Sequence, residues 1–65
     1  MKINIDILNL ALAELCISKK ELAEKSEVDV VTISRMISGL QEPRPKTVGK
    51  IAKALNVSVK DLIEA

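Results

Sequence analysis

Apolar residues recur along this chain at helical spacing, and short polar, glycine or proline interruptions divide them into five groups. Ile5, Leu8, Ala11, Leu12 and Leu15 share one face, which predicts a first helix from Ile5 to Leu15 with Asn4 as its N-cap. Ile7 and Leu10 fall off that face, so this helix is expected to be buried on several sides or covered by a partner. Ser18 followed three positions later by Glu21 is a capping box that opens a second helix, with Ile17 placed to pack on Leu22. Leu22 and Ala23 then face the core, and the turn Ser26-Glu27-Val28 ends the helix. Asp29 stands at the N-cap of a third helix. Its Ile33, Met36 and Ile37 point one way, while Val31, Ser34, Arg35 and Ser38 point the other. Gly39 is a natural stop.

Leu40 to Arg44 reads as a loop, and Pro45 suits the first turn of a fourth helix, where its missing N–H would be unpaired anyway. Val48, Ile51, Ala52 and Leu55 form the apolar stripe of that helix, with Lys46, Lys50 and Lys53 on its outer side. Asn56 can end it in a left-handed conformation. Ser58 caps a last helix, with Asp61 at capping-box distance and Leu62 and Ile63 for the core. The fold class predicted is all-α, five helices in a single domain spanning residues 1–65, with no linker or repeat.

Composition narrows the chemistry. The chain has 65 residues and is 48% apolar, almost entirely Ile, Leu, Val and Ala, which suits one small core. Histidine is absent and Cys16 is the only cysteine, so no internal disulfide, no Cys/His metal set and no Ser/His or Cys/His nucleophile pair can form. Acidic pairs in a hydrolase-like constellation are lacking as well. We therefore expect no enzyme, no metal and no cofactor. Cys16, between Leu15 and Ile17, reads as a small buried hydrophobe. Asn4, Asp6, Asn9 and Glu14 interrupt the N-terminal apolar run, which argues for a folded helix of a cytoplasmic protein rather than a signal peptide or a membrane span.

Residues 18 to 39 place a capped helix, a tight turn and a second short helix in the spacing that seats a helix in the DNA major groove. Net charge is only +1, yet Lys19, Lys20, Arg35, Arg44, Lys46, Lys50 and Lys53 fall within this unit or just after it. Taken by themselves, such lysines read as ordinary solvated helix faces.

The chain resembles the lambda-repressor-like helix-turn-helix family, also called the Cro-type or xenobiotic-response-element family of prokaryotic and phage regulators. The matching residues are the polar cap, Leu22-Ala23, Val28, Ile33, Met36, Gly39, Pro43 and the run Ile51-Ala52-Lys53-Ala54-Leu55-Asn56-Val57, and the resemblance covers roughly Leu8 to Ile63. It implies a compact lambda-repressor-like fold in which helix three reads DNA bases through Val30, Val31, Ser34 and Arg35. Thr32, Ser38, Ser18 and Lys19 correspond to positions that usually hold phosphate, and Arg44 and Lys46 are further phosphate candidates. Arginine can donate two hydrogen bonds to O6 and N7 of guanine, and a valine can pack on a thymine methyl. Arg35 has a second reading, a surface salt bridge; Val30 has one too, as a partial closure of the core; and Asp29 is read as a cap only.

Four departures from the family pattern stand out. Lys19 occupies a position where glutamine is common, and Glu27 one where glycine is frequent. Ile37 and Leu12 replace commonly charged residues; with Ile7, Leu10 and Leu40 they suggest an apolar surface for a protein partner. The function implied is a sequence-specific transcriptional regulator, a repressor bound as a homodimer to a two-fold symmetric operator, paired through Asn56, Val57 and Val59. The alternative is a protein-interaction or dimerisation module, or an antitoxin-like accessory factor of a mobile element, with weak DNA affinity of its own.

Overall fold

Helix boundaries follow local capping chemistry. The computed structural model describes residues 1–63 and contains α1 (Ile5–Leu15), α2 (Lys19–Ser26), α3 (Val30–Ile37), α4 (Pro45–Leu55) and α5 (Val59–Leu62). The Asn4 side chain accepts from the backbone N–H groups of Asp6 and Ile7, which starts α1 as expected. Ser18 and Glu21 form the full reciprocal capping box at the start of α2. Asp29 precedes α3 but makes no side-chain cap bond, so its position alone, not its carboxylate, marks that start. Ser58 opens α5 by accepting from the backbone of Lys60.

Four helices end in the same way. A residue in the left-handed region follows α1, α2, α3 and α4: Cys16, Glu27, Gly39 and Asn56. The next residue then donates its backbone N–H to a carbonyl five positions back: Ile17 to Leu12, Val28 to Ala23, Leu40 to Arg35, and Val57 to Ala52. This closure satisfies carbonyls that a helix end would otherwise leave unpaired. It also overturns the expectation for Cys16, which is exposed because it ends α1 at φ 56°.

Every helix contributes a fully buried aliphatic side chain to one core: Leu8 from α1, Leu22 from α2, Ile33 from α3, Val48 and Ile51 from α4, and Leu62 from α5. Burying each such side chain contributes about 1.5–3 kcal/mol. The central element is α4, which packs against α1, α2 and α5, while α3 is held through α2. Leu12 belongs to this core and Ile37 is half-buried against it, so neither adds to an apolar surface. Leu15, by contrast, is 41% exposed although it shares the face of Leu8 and Leu12. It lies in the last turn of α1, and periodicity sets the direction of a side chain without saying how far along the axis the neighbours reach.

Both ends of the described chain meet. Ile3 pairs with Ile63 in an isolated antiparallel bridge, and Ile3 is 3% exposed. Ser26, the last residue of α2, is buried, and its hydroxyl donates to the Leu22 carbonyl at 2.6 Å, which removes the penalty of an unpaired buried polar group. Among the described residues no helix is long and apolar enough to cross a membrane.

Candidate nucleic-acid interface

The outer face of α3 is set by its inner one. Ile33 and Met36 are buried against the core, so the residues between and beside them turn outward. Val30, Val31, Ser34 and Arg35 are exposed, and together with Ser38 and Leu40 they line one shallow surface depression. Among the described residues Arg35 is the only charged one on this wall, and no ion pair engages it. An eight-residue helix is about 12 Å long, comparable to the roughly 12 Å width of the DNA major groove.

The end of α3 shapes the depression. Gly39 has φ 78°, and an added Cβ there would meet no atom within 4 Å, so the glycine serves backbone conformation rather than clearance. Gly39 and Leu40 donate to the carbonyls of Met36 and Arg35, at 3.1 and 2.9 Å, and this fold-back brings Leu40 onto the wall beside α3. Sequence reasoning missed that placement. The signal was available in Gly39 itself, because a left-handed stop returns the following residue toward the last turn.

The candidates for phosphate contact lie around the reading face. Ser18 caps α2 and Lys19 is its first residue; both are exposed. The Ser18 oxygen accepts from Glu21, which leaves its hydroxyl hydrogen available to an external acceptor. Arg44 and Lys46 flank the start of α4 and are exposed, with no side-chain cap bond from Arg44. Ser38 is exposed and Thr32 half-buried.

The three apolar partner positions do not form one surface. Leu10, 62% exposed, and half-buried Ile7 line a depression between α1 and the end of α4 with Glu14, Leu15, Asn56 and Val57. Leu40, 80% exposed, lies instead on the α3 wall. Of the dimer candidates, Asn56 is exposed while Val57 and Val59 are half-buried against the core. Val57 and Val59 line a second depression with Lys46, Gly49, Lys50 and Lys53, so Val57 borders both.

Comparison with known proteins matches residues 8–62 to the helix-turn-helix family. Neither curated proteins nor solved structures gave a match. The match runs from the first buried residue of α1 to the last of α5, so it takes in the whole five-helix core together with the α2–α3 unit. The chain belongs to the lambda-repressor-like helix-turn-helix family, whose members bind DNA and regulate transcription.

Proposed function

We propose that this protein is a sequence-specific transcriptional repressor that binds a two-fold symmetric operator as a homodimer. The reading is carried by the outer face of α3, where Val30, Val31, Ser34 and Arg35 are exposed in one depression whose wall, among the described residues, carries no acid. In this reading α3 enters the major groove and Arg35 donates to O6 and N7 of a guanine, while Val30, Val31 and Ser34 meet neighbouring base edges. Ser18, Lys19, Thr32, Ser38, Arg44 and Lys46 hold phosphates on either side and fix the register. The whole chain, residues 1–65, acts as a single DNA-binding domain in the cytoplasm.

Size supports a pair. The longest extent of the domain is 25 Å, whereas successive major-groove faces on one side of the duplex lie about 34–36 Å apart, so one copy reads one half-site. Pairing is assigned to Asn56, Val57 and Val59. Val57 lies between a lysine-edged depression and one edged by Glu14, and two-fold pairing about it would set lysines of each copy toward the acidic edge of the other.

A second reading is supported by the exposed apolar residues Leu10 and Leu15 on α1, which suit a protein-interaction module or an antitoxin-like accessory factor. Selection of bound duplexes from a random pool at low salt separates the two. A recovered motif with two inverted half-sites one helical turn apart supports the repressor; a pool without a motif overturns it.

A further inference from the structure

We infer that Leu40 is a base-reading residue, and that with Val30 and Val31 it receives the C5 methyl group of a pyrimidine beside the guanine contacted by Arg35. This rests on the DNA-binding reading above and adds a residue and a ligand chemistry to it.

The four equivalent helix ends carry the inference. In each, the residue after the left-handed position is a large aliphatic: Ile17, Val28, Leu40 and Val57. Three of these pack against the core, which is the ordinary role of an apolar residue at this place. Leu40 is the exception at 80% exposed, so its side chain contributes little to the fold. Its backbone is nonetheless held by the Arg35 carbonyl at 2.9 Å, next to the residue proposed to read guanine. A leucine that is exposed, yet fixed in position, offers apolar contact to something outside the molecule.

The surroundings favour DNA as that occupant. Leu40 shares its depression with Val30, Val31, Ser34, Arg35 and Ser38, so the wall combines three aliphatic side chains, two hydroxyls and one cation. The cation, with no acid on the wall among the described residues, complements a polyanion. Along the major-groove edges the apolar group on offer is the pyrimidine methyl, present on thymine and on 5-methylcytosine. Outside this wall, among the described residues, the exposed large apolar ones are Met1 at the start of the chain and Leu10 and Leu15, which lie on α1 around a different depression that Glu14 borders and so separate Leu40 from any protein-binding surface there.

The test uses the full chain and the duplex recovered from the random pool. Resynthesis with deoxyuridine in place of thymine removes the methyl and keeps pairing; resynthesis with 5-methylcytosine in place of cytosine adds one. We expect affinity to fall about fourfold for each thymine methyl that is touched, equivalent to about 0.8 kcal/mol per buried carbon, or to rise by a similar factor on cytosine methylation if that base supplies the group. Leu40→Ser is expected to diminish this discrimination while leaving the salt dependence of binding unchanged. A recovered motif whose affinity is indifferent to both base substitutions overturns the methyl reading and leaves the repressor standing. Methyl discrimination that survives intact in Leu40→Ser overturns the role of Leu40, and a pool without a motif overturns both proposals together.

Discussion

The backbone N–H of Asn4 donates to the carbonyl oxygen of Leu62 at 2.8 Å, which ties the residue that caps the first helix to the last residue of the fifth. Ile3 lies beside this contact, nearly fully buried and paired with Ile63. Truncating a buried isoleucine costs about 2–5 kcal/mol, and a domain of this length has about 3–10 kcal/mol in total. Ile3→Ala is therefore expected to remove a large share of the stability, read as a lower urea midpoint with little change in slope.

The starts of α2 and α3 differ in kind. Ser18→Ala breaks a reciprocal pair of cap bonds and is expected to cost about 0.5–2 kcal/mol. Asp29→Ala breaks no cap bond and is expected to change stability by no more than about 0.5 kcal/mol. Denaturation of the two variants without DNA checks the contrast.

Left-handed backbone gives a second pair of opposite effects. Glu27 holds φ 58°, a conformation that disfavours any residue with a Cβ, so Glu27→Gly is expected to stabilise by about 0.5–1 kcal/mol after the added freedom of the unfolded chain is subtracted. Gly39→Ala at φ 78° is expected to cost about 1–2 kcal/mol, and because its Cβ would meet open space, the loss comes from backbone strain alone. Thermal midpoints should shift by about 4–8 °C per kcal/mol, upward for the first variant and downward for the second.

On DNA, Arg35→Ala and Lys46→Ala should fail differently. Losing Arg35 is expected to reduce discrimination at one base pair of each half-site by about 1–3 kcal/mol. Without Lys46 all sequences should bind more weakly by a similar factor, and the log–log salt slope should lose about 0.9 for each phosphate contact removed. Affinities for matched and single-mismatch duplexes at several salt concentrations distinguish the two.

The dimer assignment predicts an asymmetry between two apolar substitutions. Val59→Asp is expected to shift the protein at micromolar concentration from twice the chain mass of 7.1 kDa to the single mass, whereas Leu40→Asp on the separate α3 wall should leave the pair intact in the absence of DNA. Sedimentation measures both, with circular dichroism to verify that helicity is kept. A pair that survives Val59→Asp excludes this surface.

Helix limits were legible from local chemistry. Asn4, Ser18, Pro45 and Asn56 act on backbone groups within a few positions, so caps and stops can be read from neighbouring residues without knowing what packs where. Helical periodicity likewise identified Leu8, Leu22, Ile33, Ile51 and Leu62 as core, and the spacing of Leu22, Gly39 and Leu55 carried the family. The outward residues of α3 followed from the same rule, since burying Ile33 and Met36 leaves Val31, Ser34 and Arg35 outside.

Packing decided the remainder. Leu12 and Leu15 share a face, but one is buried and the other is half open, because burial depends on where a neighbouring element ends. Cys16 is exposed because helix termination outranks its hydrophobicity, and Ile3 is buried because α5 returns to meet it from the other end of the sequence. Leu40 joins the α3 wall while Ile7 and Leu10 line another depression, a division set by the fold-back at Gly39. Local sequence encodes hydrogen bonds and directions over one or two turns; which distant surfaces meet, and which apolar residues stay uncovered, is a property of the assembled core.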